Sequence, residues 1–316
     1  MPNFSDWKSD NYNFVGKTFD YNVSQRPSKL MAVVDKVVTN SVDYEVTSTG
    51  GYGEVPLYDG RNLNTAKALR GFKAIVTPEE HEMSELIEYK RWKNDMSGEC
   101  KRVGRNLGRS ARATINNDLL RLFSRAFDPN YIGPDGKTWA ANDHPNASMS
   151  SQGRKYIADP EAGTFSNVIK KALSVGAISE MKAMAQRFTT PAGLPLGGEF
   201  NILLVSPEDE ETAAKICGPE GKWRPTQNPD DDTNAANPLP DLRYIVAGAG
   251  SLGFRKNQWA LCDEEMMKDT TKIVFNTEPM IVRGKSESDL IDIYSVYMDY
   301  QIGFSDARPI IFSNNA

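Results

Sequence analysis

The chain has 316 residues, of which 25% are charged and 39% hydrophobic, and its formal net charge at pH 7 is -5. These values are typical of folded globular proteins, so they exclude a chain that is disordered throughout, and they indicate no particular partner. No segment approaches the ~18 apolar residues of a membrane-spanning helix, and the N-terminal segment lacks the basic start and apolar core of a signal peptide. Cys100, Cys217 and Cys262 are too few and too widely spaced for a disulfide framework or a zinc site. We therefore expect a soluble protein of a reducing cytoplasm.

The first predicted elements are an N-terminal arm and a long hairpin. Residues 1–43 begin polar and show no sustained periodicity before LMAVVDKVVT, which favours an extended arm followed by a short helix or strand. Residues 44–77 have β-rich ends and a long glycine-punctuated middle, a pattern typical of a β-hairpin with an open tip. Because a compact domain rarely carries so long an excursion without a use for it, we expect this hairpin to be functional.

Two helices are predicted to follow the hairpin. Residues 77–80 (TPEE) combine a capping threonine, proline at the first helical position and a following acid, which is typical of a helix start. From Trp92 to Phe127, apolar residues recur every three to five positions, which predicts a second helix with one apolar stripe, and Gly98 separates it from the first. As a helix, residues 99–127 would span roughly 40 Å, more than most helices of single domains.

The long helix is predicted to be basic on one surface, and the segment before it is acidic. The basic residues are Lys101, Arg102, Arg105, Arg109 and Arg112. The acidic residues are Glu79, Glu80, Glu82, Glu85 and Glu88. Charge runs on helices are most often solvated surfaces that complement the helix dipole, and the sequence alone favours that interpretation here.

The remaining segments predict a mixed architecture. Residues 164–185 have the pattern of an amphipathic helix, and residues 199–218 have that of a strand, a Ser-Pro cap and a helix that ends at glycine. Residues 221–241 are rich in Pro, Asn and Asp and are predicted to be a loop. Strand-like composition occurs at residues 242–249, 259–265, 271–284 and 290–306. The predicted fold class is α+β, with one dominant helix and a long β excursion.

One glycine-rich motif has the spacing of a nucleotide-binding fingerprint. Residues 248–253 (GAGSLG) match GxGxxG after a strand-like segment, which would place a dinucleotide pyrophosphate at the start of a helix. The following residues, FRKNQWALCDEEMMK, alternate like a strand and give no good amphipathic helix. We therefore favour a glycine-rich turn between two strands and keep nucleotide binding as the alternative.

A histidine beside an aspartate raises the question of acid/base or metal chemistry. His144 lies in Asp143-His144-Pro145, and a side chain that titrates near neutrality beside a carboxylate is what a general base requires. Zinc needs at least three protein ligands, whereas His81 is the only other histidine in the chain. Asx side chains and proline also favour turns, so we predict a structural turn at residues 143–145 and no catalytic, cofactor or metal site.

The order of these features resembles the major capsid (major head) proteins of tailed double-stranded DNA bacteriophages, which share the Hong Kong 97 fold. The likeness is strongest to Mu-like head subunits, in which an aspartate-glycine pair, an aromatic residue and Asp-His-Pro follow a long spine helix. The corresponding residues here are Asp135-Gly136, Trp139 and Asp143-His144-Pro145. Residues 71–80 (GFKAIVTPEE) and 202–216 (ILLVSPEDEETAAKI) also resemble segments of these subunits. The C-terminal QIGFSDARPIIFSNNA and residues 221–241 depart from the Mu-like pattern.

The resemblance implies a division of the chain. It comprises an N-terminal arm and entry element, an extended hairpin loop, a peripheral domain with the spine helix, an axial-type α/β domain and returning strands of the peripheral domain. The expected boundaries are 1–43, 44–77, 78–200, 201–275 and 276–316.

The resemblance also implies a function without catalysis or cofactor. We expect a subunit that assembles with itself into hexamers and pentamers of an icosahedral shell around double-stranded DNA, with scaffold and portal proteins as further partners and no membrane. Such a protein is located in the virion capsid and is assembled in the host cytoplasm. The alternatives are an encapsulin-like compartment that houses an enzyme and, less favoured, a nucleotide-dependent enzyme that uses the GAGSLG turn.

Five residues are expected to contact neighbouring subunits: Tyr52, Tyr58, Arg61, Arg105 and Arg109. The first three lie in the hairpin, which can lie over a neighbour because it has no core of its own. The two spine-helix arginines could meet either acidic groups of adjacent subunits, such as the glutamates at 79–85, or packaged DNA. From the sequence we prefer the protein partner.

Overall fold

The computed structural model describes residues 7–25, 27–51, 55, 57–58, 69–94, 98–149, 156–158, 163–190, 194–217, 239, 241–284 and 290–315. The α-helices of these residues are α1 (Trp7–Ser24), α2 (Tyr89–Lys93), α3 (Glu99–Ser124), α4 (Val175–Ala185), α5 (Glu210–Ile216) and α6 (Glu264–Thr270). Short 3-10 helices are formed by Lys29–Ala32, Arg125–Phe127 and Pro207–Asp209. Among the described helices, none is long and apolar enough to cross a lipid bilayer.

The strands in the N-terminal half are β1 (Asp35–Val38), β2 (Tyr44–Gly51), β3 (Leu69–Val76), β4 (Glu79–Glu88), β5 (His144–Pro145), β6 (Ala147–Met149) and β7 (Tyr156–Ala158). The remaining strands are β8 (Thr164–Phe165), β9 (Val168–Ile169), β10 (Ile202–Val205), β11 (Arg243–Val246), β12 (Gly248–Ala249), β13 (Leu252–Gly253), β14 (Gln258–Cys262), β15 (Thr271–Gly284), β16 (Ile291–Phe304) and β17 (Ile310–Asn314). Helices and sheets are thus mixed along the chain, as the α+β prediction requires.

A four-stranded sheet with the order β1-β15-β16-β4 lies under the long helix. Its two 14-residue strands, β15 and β16, pair antiparallel, and β1 joins β15 in parallel. Alternate residues of β15 reach different cores, because successive side chains of a strand point to opposite faces. Ile273 and Phe275 pack in the main core with α1 and α3, whereas Val274 packs with Val46 and Val76 of the β2-β3 pair. The helices and the hairpin therefore cover opposite faces of this sheet.

The long helix is confirmed, and the N-terminal segment differs from its prediction. The expectation of an extended segment is wrong for Trp7–Ser24, which form α1. Helix α1 runs parallel to α3, since Val15 lies at Gly104 and Phe19 at Gly108. A Cβ atom at Gly104 would collide with the carbonyl oxygen of Val15, and one at Gly108 would lie 2.9 Å from that of Phe19. The two glycines, one turn apart, allow the backbones of the helices to touch.

The predicted helix start at residues 77–80 is wrong. Residues 79–88 form β4, which pairs with β16 from Glu79 opposite Tyr300 to Glu88 opposite Ile291. A capping motif contributes about 1 kcal/mol, and a ten-residue ladder with burial of Ile87 outweighs it. The helical segment that follows β4 is only the short α2.

A second sheet has the order β11-β10-β14-β17-β9 and contributes to two cores. Leu204 of β10 faces the main core, and Leu203 and Val205 face a second core with α4 and α5. The predicted strand-cap-helix unit is confirmed, since the Ser206 side chain accepts a hydrogen bond from the Asp209 amide before α5.

The helix predicted over residues 164–185 is confirmed only for its second half. Thr164–Phe165 and Val168–Ile169 are short strands, and α4 begins after Ser174, whose side chain caps it. Strand β9 pairs with β17 near the C-terminus, and this long-range pairing overrides the local helical pattern. The predicted strands over residues 242–249, 259–265, 271–284 and 290–306 are present as β11 to β16, whereas most of the predicted loop 221–241 lies outside the described residues.

Candidate functional site

His144 lies at the junction where the loop after the long helix meets the short strands β5 and β8. Strand β5 places it opposite Phe165 of β8, and the side chain is 1% exposed. Its Nδ1 atom lies 2.5 Å from Oδ2 of Asp135, in the loop that follows the long helix. Its Nε2 atom lies 3.1 Å from Oδ1 of Asn167, between β8 and β9. Both ring nitrogens therefore have hydrogen-bond partners within the same chain.

The hydrogen bonds of Asn167 settle the protonation of Nε2. The Nδ2 group of Asn167 donates to the carbonyl oxygens of Trp139 at 2.8 Å, Ala307 at 3.2 Å and Ile310 at 3.2 Å. Its Oδ1 atom accepts from the Ala141 amide at 3.0 Å, so the amide orientation is fixed on both sides. An acceptor faces Nε2, which must therefore carry a hydrogen.

The other side of the ring faces a carboxylate. The Nδ1 atom lies within hydrogen-bond distance of Oδ2 of Asp135, so this nitrogen is also occupied by a group of the same chain. A general base needs a nitrogen lone pair that a substrate can reach, and a metal ligand needs one directed at the metal. Neither is available here, and the described residues contain no group of three or more His, Cys, Asp or Glu side chains that could hold a metal ion. The structural role of His144 stays a prediction, and the stability of a His144→Ala variant tests it.

The two neighbours of His144 in the motif, Asp143 and Pro145, are less buried than the histidine. Asp143 is exposed and pairs with Lys137, whose hydrogen bond lowers the pKa of the Asp143 carboxyl. Pro145 belongs to the same two-residue strand as His144, opposite Thr164. The three residues thus lead the chain from the exit of α3 into a short strand pair, which is more ordered than the isolated turn expected from the sequence.

The junction is completed by residues that the sequence did not indicate. The ring of Phe165 stacks on His144 at 5.0 Å between centroids, and the guanidinium of Arg308 lies 4.7 Å from the same ring. Arg308 is 3% exposed and bonds to Asp306 at 3.0 Å. Asn167 and Arg308 lie far from His144 in sequence and in no local motif, so only the fold brings them together.

The GAGSLG segment is a turn between strands, as predicted. Strands β12 and β13 pair antiparallel, and β13 lies against α3. Gly253 has φ 83°, and a Cβ atom there would collide with the carbonyl oxygen of Ala247, so this turn requires glycine. The next regular element is strand β14 and not a helix, so the helix N-terminus that a dinucleotide-binding fingerprint needs is missing from this segment.

The described cysteines lack the features of nucleophiles. Burial raises the pKa of the Cys217 thiol to about 11, and full burial in β14 also raises that of Cys262. Thiolates are the reactive form, so both thiols remain protonated at neutral pH. The side chain of Cys100 lies outside the described residues.

A cleft of about 1150 Å³ lies between β3, the end of α3 and the end of β16. Several of its charged groups are paired with each other or with neighbours. Asp118 bonds to Arg121 and accepts from the Tyr300 hydroxyl at 2.5 Å, and Lys73 pairs with Glu45. Groups held in this way stabilise the walls of the cleft.

The hairpin residues that the structure describes are largely without a core. Strands β2 and β3 pair antiparallel from Tyr44 opposite Val76 onward. Beyond this base, Val55, Leu57 and Tyr58 are 94%, 97% and 64% exposed. Tyr52 and Arg61, the other predicted contact residues of the hairpin, lie outside the described residues. Large exposed apolar side chains on an extended loop are typical of a surface that a partner covers.

The basic residues of α3 have two distinct arrangements. Arg102, Arg105 and Arg109 are exposed. Arg112 instead donates from Nη1 to the carbonyl oxygen of Asn22 at 3.1 Å, where it caps the C-terminal end of α1. The side chain of Lys101 lies outside the described residues.

The glutamates before the long helix lie on strand β4 and not on a helix. Glu80 faces Asp299, and Glu82 faces Tyr297, on the sheet face opposite α3. The Tyr297 hydroxyl donates to Oε1 of Glu80 at 3.0 Å, which raises the pKa of the tyrosine. Within one subunit the exposed arginines and these two glutamates are therefore on opposite sides of the sheet.

Comparison of the sequence with protein families gives one match over most of the chain. A family described as phage capsid protein matches residues 86–311. Comparison with curated protein sequences gives no match.

The fold is similar to that of subunits from several solved particles. A chain of the procapsid of bacteriophage JBD30 has 13% identity and a TM-score of 0.51, over 98% of this chain and 75% of that chain. A chain of the mature capsid of bacteriophage PhiM1 has 11% identity and a TM-score of 0.50, over 92% and 87% of the two chains. A virus-like particle from Pyrococcus furiosus has 8% identity and a TM-score of 0.50, over 96% and 99%. At such identities the likeness concerns the fold.

Proposed function

The chain belongs to the phage capsid protein family, and from that premise we propose that it is the subunit of an icosahedral shell built of hexamers and pentamers around double-stranded DNA. Its fold is the Hong Kong 97 fold of major capsid proteins, as the sequence predicted. The single observation that carries the proposal is the family match over residues 86–311. Within that range both nitrogens of His144 are consumed by structural hydrogen bonds, which supports a role without catalysis.

The hairpin supplies a contact through which the subunits would join. Tyr58 and the exposed Val55 and Leu57 would be covered by a neighbouring copy, together with Tyr52 and Arg61. A contact between different surfaces of two copies closes into a ring when it is repeated by rotation. The distal part of the four-stranded sheet offers apolar side chains to such a hairpin on the face away from α3, at Leu86, Met280 and Val282.

The proposed organisation follows the division expected from the sequence. Residues 78–200 and 276–316 would form the peripheral domain around α3, and residues 201–275 an axial domain. Scaffold and portal proteins would assist assembly in the host cytoplasm, and the finished subunit would be part of the virion. Helix α1 packs along α3, so in this division residues 1–43 support the peripheral domain.

Electron microscopy of the purified full-length protein tests this function. We expect closed particles of uniform size in negative stain, and monomers or small oligomers at high protein concentration would contradict the proposal. The similarity to a virus-like particle from Pyrococcus furiosus keeps an enzyme-filled compartment as a second candidate. Mass spectrometry of particles from the native source separates the two, because a compartment contains a cargo enzyme and a phage head contains DNA.

A further inference from the structure

The exposed arginines of α3 form one row on the side of the helix that faces away from the sheet. Val103 and Leu107 are each 2% exposed and point into the main core. Arg102, Arg105 and Arg109 follow at intervals of three and four residues, about one per turn, and lie on the other side of the helix. We call these three residues the arginine row.

The arginine row has no carboxylate partner among the described residues. Other arginines of this chain are paired, as in Arg121 with Asp118 or Arg283 with Asp292. No ion pair within the described ranges includes a residue of the arginine row. Within the part of the chain that the structure describes, the row therefore presents three guanidinium groups without an ion-pair partner, within about 10 Å along the helix axis.

The two faces of this layered region differ in charge. The helix side of the sheet carries the arginine row, with Glu79 and Glu85 at the edge strand β4, and the opposite side carries the hairpin base together with Glu80 and Glu82. In a shell, an adjacent subunit contacts the edges of this layered region. A partner inside or outside the shell contacts one of its two faces. Phosphate polymers are attracted to guanidinium groups, so the arginine row makes the helix side the face that favours them.

We propose that the arginine row contacts the phosphates of packaged double-stranded DNA and that the α1-α3 side of the sheet faces the interior of the shell. This inference rests on the proposed function, because it requires a shell that encloses DNA. It replaces the acidic groups of adjacent subunits as the partner of Arg105 and Arg109. Of those glutamates, Glu80 and Glu82 lie across the sheet from the arginine row, so a neighbour in the same orientation presents these two on the far side. Glu79 and Glu85 lie on the helix side of β4.

The contact is electrostatic and independent of base sequence. Three phosphates neutralised per subunit release condensed counterions, so the logarithm of the binding constant falls with the logarithm of salt concentration with a slope of about -2.7 for duplex DNA. A single subunit then binds DNA weakly, and the repetition of the row over a shell produces a cumulative contact.

The test measures binding of a fluorescent 30-base-pair DNA to the full-length, unassembled protein by anisotropy over a range of salt concentrations. The variant is Arg102→Gln with Arg105→Gln and Arg109→Gln. The matched control is Lys170→Gln with Arg255→Gln and Lys256→Gln, which removes the same charge from exposed residues near the second sheet. Circular dichroism establishes that each variant is folded, and Arg→Lys at the three row positions keeps the charge if the glutamine variant fails to fold.

We expect the row variant to lose about two to three units of the salt slope, with the lysine variant and the control near wild type. Equal slopes in the row variant and wild type, or an equal loss in the control, would overturn the inference. Unchanged DNA binding together with loss of shells would do so as well and would assign the row to a neighbouring subunit. A wild type that binds DNA through the row but forms no shell would contradict the proposed function and leave the DNA contact standing.

Discussion

The junction around His144 and the hairpin of residues 44–76 differ in how far their side chains are buried and bonded within the subunit. At the junction, His144 and Asn167 form hydrogen bonds with groups of the same chain and are almost fully buried. In the hairpin, Leu57 and Tyr58 lie in solvent, and the described apolar contacts are limited to the base. The chain completes the junction by itself, whereas we propose that another copy covers the hairpin. Three substitutions and one deletion test this division through the free energy of unfolding, from the largest expected effect to the smallest.

Replacing Asn167 with alanine is expected to cause the largest loss. Three carbonyl groups, the Ala141 amide and Nε2 of His144 would lose their partner in a buried site. Buried groups left without hydrogen bonds cost about 1 to 3 kcal/mol each when water cannot reach them, so we expect a total loss of about 4 kcal/mol. Urea denaturation of the purified protein measures it. Ser166→Ala is the control, and a loss below about 1 kcal/mol in Asn167→Ala would show that the junction is not the anchor described here.

His144→Ala is expected to lower the stability of the subunit by about 3 kcal/mol, since Asp135 would be left without its buried partner. The yield of assembled particles should fall together with the stability, because the expected defect is in folding or assembly and not in catalysis. Asp143→Ala changes the neighbouring residue of the same motif, which is exposed, and should shift stability by about 0.5 kcal/mol or less. A double-mutant cycle with Asp135→Asn measures the coupling of the pair. Normal particle yield and stability in His144→Ala would contradict the structural role.

Gly104→Ala probes the contact between α1 and α3. Alanine favours a helix by about 1 kcal/mol over glycine, but its Cβ would collide with the carbonyl oxygen of Val15, and we expect a net loss of about 2 kcal/mol. Gly16→Ala is the matched control, because a Cβ at that position of α1 has no atom within 4 Å and should stabilise the protein. Thermal unfolding of both variants measures the difference. Equal effects would mean that the two helices do not pack as closely as the glycines allow.

Deleting residues 49–60 is expected to change the free energy of unfolding of the subunit by less than about 1 kcal/mol, because the side chains described in this segment, Val55, Leu57 and Tyr58, are exposed. Shell formation should nevertheless be lost. Urea denaturation and negative-stain microscopy of the same sample report the two quantities. Tyr58→Ser is a milder variant with the same expected direction. Closed particles of normal size from the deleted protein would show that the hairpin does not join subunits.

Elements with a strong local signal were predictable from the sequence. Helix α3 follows from its apolar stripe, and the turn of residues 248–253 follows from glycines without a succeeding helix. Strand β4 was not predictable, because its capping pattern is that of a helix and its partner β16 is more than two hundred residues away. Helix α1 was missed because its packing partner is the pair Gly104 and Gly108. Glycines spaced four apart in a predicted helix were the available signal for a second helix at close distance.

The sequence indicated one residue of the junction, His144, but not its hydrogen-bond partner Asn167. The motif at residues 143–145 singled out His144 as a candidate site residue. The lack of further metal ligands in the sequence favoured a structural role over metal binding. The sequence could not show that Asn167 would orient the ring, because an asparagine between two short strands has no distinctive pattern. Its partners Ala307 and Ile310 are more than a hundred residues away, and only tertiary structure brings such groups into contact.

The pairing of β1 with β15 links the beginning of the chain to a part that the ribosome makes much later. Asp35 to Val38 lie beside Lys272 to Phe275. Strand β4 can pair only after β16, which ends at residue 304, has been synthesised. Contacts of such long sequence separation slow folding, because the intervening chain must close into a loop before they form. A chain that is released before β16 is made has neither the completed sheet nor the surface on which the hairpin base rests. We therefore expect prematurely terminated chains to be incompetent for assembly, so the last strands to be synthesised decide whether a subunit can enter a shell.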